Sequence, residues 1–251
     1  MSPETINVKK RNGRGLEPLD IQKIHSMVHY ACENLAGVSE SQVEMTSGLQ
    51  FYDGMSTDEI QQILIKSASD LISLDAPNYQ YVAARLLLFS LRKSLHHRLW
   101  EHPTLLEHAK KCIDKGVYDK EILVWYTEEE LEEMNSYIKH ERDYLFSYAG
   151  LRQVVDKYLV QDRSTGEIFE TPQFMYMMIA ATLFRNYDIE RRMDYVKKYY
   201  NAISQHIINI PTPVMAGVRT PLRQFASCVL VDTDDTLPSI FSSDMAIGRY
   251  V

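Results

Sequence analysis

The chain has 251 residues, 45% of them apolar and 24% charged, an ordinary globular balance with room for one large domain or two small ones. A net charge of -7 argues against a surface that coats nucleic acid, and no apolar run approaches the length of a membrane span. Cys32, Cys112 and Cys228 are widely spaced and form no disulfide framework and no CxxC metal pair, which fits a reducing cytoplasm.

The opening MSPETINVKKRNG lacks the apolar core of a signal peptide. Ile6, Val8 and Lys10 begin a short strand. Asn12-Gly13 is a strong hairpin signal, because both positions tolerate positive φ, and residues 14–17 return as a second strand that Pro18 stops. Asp20 is placed to cap a helix reaching residue 37, with Ile21, Ile24, Val28, Ala31 and Leu35 on one face. A second helix covers residues 40–49. Ser56 and Glu59 make a capping box for a third, and Asp75 caps a fourth with Pro77 in its first turn. His25 and His29, four apart without a third ligand, read as helix-surface residues. Lys9, Lys10 and Arg11 fall beside the N-terminus of the first helix, where an anion would be well held. The alternative is an edge strand guarded by charge, and the residues alone favour that alternative. Nothing matches the P-loop GxxxxGK[ST], and Gly13-Arg14-Gly15 lacks the third glycine of a dinucleotide fingerprint.

His96, His97, His102 and His108 read as a polar linker ending the fourth helix, with no acid or cysteine to complete a metal ligand set. Thr104 with Glu107, and Thr127 with Glu130, open two more helices. Arg163-Ser164-Thr165-Gly166 is a hairpin signal. Thr171 caps an apolar helix with Pro172 at its first position, and Asp188 starts a long helix to residue 205. Pro211, Pro213 and Pro221 argue against helix in the next stretch. Phe225 to Val231 is a nearly unbroken apolar run, expected as a strand buried on both faces and carrying Cys228. Thr212, Arg219, Thr220 and Arg223 precede it, all able to hold an anionic group. Taken alone, Cys228 would be an inert buried cysteine. Acids at residues 232–235 then cap a helix over residues 239–251.

Longer motifs narrow the choice. VKKRNG, the Lys23-Ile24-His25 step, FYDGMST, APNYQYVAAR and LRK, across residues 6–93, resemble the ATP-cone, a regulatory nucleotide-binding domain. HERD, KYLVQD, ETPQF, PTPVM, GVRTP and the RQF-S-C-V pattern resemble the large, catalytic subunit of class I (aerobic) ribonucleotide reductase. The resemblance implies a mainly α fold with small β elements: an ATP-cone of hairpin plus four helices (residues 1–95), a helical domain (96–210), and the first strand of a ten-stranded α/β barrel (211–251). It implies an ATP/dATP allosteric site at Val8, Lys10, Arg11, Glu17, Asp20, Lys23, Ile24, Thr57 and Lys93, with the base-contacting place falling on Leu16 or Glu17. It implies substrate contacts at Thr212 and Ser227, and a reducing thiol at Cys228 that becomes half of a disulfide. A dNTP specificity effector would meet Asp235, Thr236 and Leu237, and the last helix would join a dimer interface. No metal is expected in this chain, because the family's radical metal site lies on the small subunit.

The implied activity is radical reduction of ribonucleoside diphosphates. The family's thiyl-forming Cys, second redox Cys, catalytic Asn and Glu lie beyond Val251, so this chain is expected to be inactive alone. The expected partners are the C-terminal part of the large subunit, the radical-generating small subunit, a second large subunit and a thioredoxin- or glutaredoxin-type reductant. The competing reading, a stand-alone nucleotide-sensing regulator joined to a DNA-binding zinc ribbon, would need paired CxxC motifs and a basic domain, and this sequence has neither. A helical adaptor without ligand would leave residues 211–228 without a purpose.

Overall fold

The computed structural model describes residues 6–10, 15–222 and 224–250. Chain order begins with β1 (Asn7–Lys9), β2 (Leu16–Pro18), α1 (Ile21–Cys32), α2 (Glu40–Gly48), β3 (Met55–Ser56), α3 (Thr57–Asp70) and α4 (Tyr79–His96). β1 lies between its two neighbours, antiparallel to β2 with Val8 opposite Glu17, and parallel to β3 with Lys9 opposite Ser56. Alternation turns Val8 into the core and leaves Lys9 exposed. The predicted turn at Asn12-Gly13 lies outside the described residues.

Asp20 caps α1 as expected, its carboxylate accepting from the Gln22 amide at 3.1 Å. The helix stops at Cys32, five residues short of Gly37, where Asn34 takes φ 59° and turns the chain. The capping box of Ser56 and Glu59 forms with both bonds present. Asp75 does not cap α4; Asn78 holds that position and Pro77 precedes the helix. A proline disfavours helical geometry in the residue before it, which delays the start. α4 packs against α1 and α3 on the cone side. It is buried on most of its circumference, with Val82, Leu86 and Phe89 fully enclosed.

The rest of the helical body holds α5 (Leu105–Asp114), α6 (Ile122–Trp125), α7 (Glu128–Tyr137), a 3₁₀ turn (His140–Leu145), α8 (Tyr148–Gln153), a π turn (Val154–Tyr158), α9 (Pro172–Phe184) and α10 (Ile189–Ser204). The boxes at Thr104 and Thr127 form as the spacing requires. α9 is the apolar centre, every residue from Phe174 to Ala181 being buried. Arg192 on α10 grips Glu130 on α7 with both carboxylate oxygens engaged. The hairpin signal at residues 163–166 yields one bridge, Gln161 to Ile168.

Of the histidines expected in a polar linker, His97 is exposed at the end of α4, but the others pack together. His96, His102, His108 and His140 gather with Phe174 where α4 meets the body; His102 stacks on His140 at 3.6 Å and His108 on Phe174 at 4.2 Å. Burial pushes their pKa values down, to about 4 for His96 and His102, about 3 for His108 and about 2 for His140. Neutral imidazole is flat and apolar on its faces, so it packs as an aromatic ring.

Two expectations fail after residue 210. Thr212–Gly217 is a helix, α11, despite its prolines. Pro213 sits at its second position, where a missing N–H costs nothing. Residues 224–234 carry no regular secondary structure and pair with no strand among the described residues, and Cys228 is exposed rather than buried. A strand buried on both faces needs neighbours on both sides. Phe225 instead folds its ring over Gly217, where an added Cβ would stand 3.4 Å from the ring. α12 (Leu237–Tyr250) starts two residues earlier than expected and leaves Leu237, Phe241 and Met245 exposed. No helix among the described residues is long and apolar enough to cross a membrane.

Candidate functional site

The candidate cone residues lie on the sheet, in the first turns of α1 and α3, and near the end of α4. Lys10 follows β1 and pairs with Glu17 on β2 at 2.7 Å across the exposed face. Thr57, half-buried at the start of α3, comes next after Ser56, which β1 aligns with Lys9. The sheet register therefore brings Lys10 and Thr57 to one end of the sheet, and Glu17, opposite Val8, reaches Lys10 through its side chain. Val8 and Ile24 lie beneath in the core. Asp20 pairs with Lys23 at 3.2 Å, and Lys23 with the local amides holds the Asp20 carboxyl below its ordinary pKa. A separate cavity of about 300 Å³ opens between α1 and the end of α4, lined by Lys23, Met27, Tyr30, Lys93 and Leu99 among others. Lys23 thus links the capped end of α1 to Lys93, whose ammonium lies 4.0 Å from the Met27 sulfur. Arg11 lies outside the described residues. His25 and His29 are on the surface as expected, bonded to Glu44 and Glu40.

Thr212 is the first residue of α11 and faces a cavity of about 600 Å³, whose walls include Phe146, Gln153, Tyr158, Tyr176 and His206. Ser227 and Cys228 lie on the exposed segment after α11, their side chains 3.6 Å apart. Thr212 is thus held by the helical body and Cys228 by a segment outside it. Thr236 serves as the cap of α12, its hydroxyl accepting from the Ser239 amide at 3.4 Å. Asp235 and Leu237 flank it on the surface.

The structure removes two of the expected anion holders. Arg219 is fully buried and enclosed by acceptors: both carboxylate oxygens of Glu170, the Met215 carbonyl at 2.5 Å and the Tyr158 carbonyl at 2.9 Å. Burial works against the guanidinium charge, and Glu170 more than offsets it, so Arg219 stays charged. Tyr118 donates to the same carboxylate, as does the Val160 amide at 2.7 Å. Thr220 is buried and donates to the Gly217 carbonyl at 2.8 Å. Arg223 lies outside the described residues. Sequence reasoning missed this network because Glu170 and Arg219 are 49 residues apart, with no local signal joining them. Of the remaining thiols, Cys32 is pushed up to about 11 by burial and Cys112 is raised further by the same cause. Among the described residues no group of three or more His, Cys, Asp or Glu side chains is arranged to hold a metal ion.

Residues 6–94 match the ATP cone domain family, and residues 144–223 match the all-alpha domain of ribonucleotide reductase. The chain is 51% identical over 248 residues to the ribonucleoside-diphosphate reductase 1 subunit alpha of Salmonella typhimurium, covering 99% of this chain and 32% of that protein. The Escherichia coli protein of the same name is 50% identical over the same coverage. The subunit alpha of Enterobacteria phage T4 is 42% identical over 250 residues, again 99% of this chain and 32% of the relative. The chain therefore spans about a third of the length of these curated relatives.

Proposed function

Because the chain belongs to the class I ribonucleotide reductase large-subunit family, over the part equivalent to the N-terminal third of its relatives, we propose that it supplies the allosteric nucleotide site and part of the substrate site of such a reductase. Residues 1–95 bind ATP and dATP through Lys10, Arg11, Glu17, Asp20, Lys23, Thr57 and Lys93, with Val8 and Ile24 beneath. Residues 96–210 form the helical domain, and residues 211–251 begin the α/β barrel. Thr212 and Ser227 contact the diphosphate substrate, and Asp235, Thr236 and Leu237 contact the specificity effector. The segment around Cys228 takes its place as a barrel strand when the remaining part of the subunit supplies its neighbours. Its unpaired backbone and exposed apolar side chains support that reading.

In the assembled enzyme, Cys228 and a second thiol from the remaining part give up two electrons and two protons and become a disulfide. The ribose 2′-hydroxyl leaves as water and carbon gains hydrogen. An external dithiol of the thioredoxin or glutaredoxin class then reopens the disulfide by exchange. The radical comes from the small subunit, and α12 pairs two large subunits.

The observation that carries the cone assignment is the Lys10–Glu17 pair on the sheet whose register also brings Thr57 to the Lys10 end. Calorimetry on this chain should register ATP and dATP binding, weakened by Lys10→Ala and by Lys93→Ala. No heat at millimolar nucleotide would refute it. For the catalytic part, co-expression with the remaining barrel should yield co-eluting chains and diphosphate reduction once small subunit is added. Cys228→Ser should then abolish multiple turnover while leaving cone binding intact. Normal multiple turnover by that variant with dithiol present would exclude the thiol role.

A further inference from the structure

Thr212 does not stand alone in its cavity. Its hydroxyl lies 3.3 Å from the hydroxyl of Tyr158, and that oxygen accepts from Nε2 of Gln153, also at 3.3 Å. A phenol oxygen that accepts a hydrogen bond keeps its own proton to donate. Either hydroxyl can donate in the Tyr158–Thr212 pair; with Tyr158 donating, the Thr212 proton is left for an acceptor in the cavity of about 600 Å³.

Tyr158 is well placed to hold the Thr212 hydroxyl. It ends the π turn, and such turns recur where a helix must re-aim a side chain at a functional site. It is 9% exposed, and its carbonyl accepts from Arg219 Nη2 at 2.9 Å. The same guanidinium reaches the Met215 carbonyl of α11 at 2.5 Å and is anchored on Glu170. One buried cation thus ties the residue that aims Thr212 to the helix that carries it.

We propose that Gln153 and Tyr158 are positioning residues that fix the Thr212 hydroxyl as a hydrogen-bond donor to an acceptor oxygen of the substrate, a phosphate of a nucleoside diphosphate. This rests on the reading of Thr212 as a substrate contact. The test is steady-state diphosphate reduction by the reductase assembled from this chain, the rest of the large subunit and the small subunit. Three variants are compared: Thr212→Val, Tyr158→Phe and the double substitution, each with its thermal midpoint checked against the parent. Thr212→Val should raise KM about tenfold or more, as for a hydrogen bond to a charged group. Tyr158→Phe keeps the ring and removes only the hydroxyl. It should raise KM about two- to tenfold with kcat within about twofold. The double variant should be no worse than Thr212→Val, because Tyr158 acts through Thr212. A raised KM for Thr212→Val with an unchanged KM for Tyr158→Phe overturns the relay and leaves the Thr212 contact standing. Multiplying effects in the double variant also overturn it, since Tyr158 would then act independently. An unchanged KM for Thr212→Val overturns the substrate contact and the relay together.

Discussion

Glu170→Gln should be among the most destabilising single changes available in this chain. The carboxylate is fully buried and receives donors from the Arg219 guanidinium on two nitrogens, from the Tyr118 hydroxyl and from the Val160 amide. Glutamine keeps one acceptor oxygen and turns an NH₂ toward donors. At least two donors lose their acceptor, each at about 1–3 kcal/mol, and the Arg219 charge is left buried without its counter-ion. Breaking a buried pair from one side costs about 3–5 kcal/mol. For a chain of 251 residues that is a drop in thermal midpoint of roughly 6–20 °C. Urea unfolding followed by circular dichroism, run beside thermal scans, measures it. The paired change Glu170→Met with Arg219→Met leaves no lone buried charge and should cost less than the sum of the two single changes, although Tyr118 and the Val160 amide still lose their acceptor. A loss under about 1 kcal/mol for Glu170→Gln, or a double variant as unstable as the sum of the singles, would refute the reasoning.

Stability should fall on acidification. The four clustered histidines have folded pKa values below the ordinary value near 6.5, so the unfolded chain binds more protons; stability is full above about pH 6.5 and is lost as pH falls toward about 4. His108 alone, fully enclosed, accounts for about 2 kcal/mol between pH 7 and 5, and unfolding midpoints flat over that range would contradict the packing. A thiol reagent should find Cys228 rapidly in the native chain, with Cys32 and Cys112 reacting only on unfolding; rapid native labelling of Cys112 would contradict its burial. Thr127→Ala should cost about 1 kcal/mol through loss of the α7 cap, and a neutral result would mean that tertiary packing alone holds that helix start.

What the sequence determined by itself was whatever a few neighbouring residues decide. The capping boxes at Ser56, Thr104 and Thr127 each need only a hydroxyl and a glutamate three residues on, so they were legible and they formed. Pro172 at the head of an apolar run likewise announced α9. The cone domain was legible through its motif, while the placing of Lys10 and Thr57 at one end of the sheet depends on β1 lying between β2 and β3, and a two-residue β3 carries no periodicity to read. The prolines around Thr212 misled because proline forbids the interior of a helix and not its first turn, a distinction that depends on where the helix begins. Tertiary structure decided the rest by pairing groups far apart in the chain. His108 became core, with the half-buried rings of His96, His102 and His140 packed near it, because α5, α9 and the 3₁₀ turn meet beside α4. Arg219, read as a ligand for an anion, became internal because Glu170 was already buried where it lands. The apolar run around Cys228 stayed outside because a strand's burial is a property of its neighbours, and none of the described residues provides them.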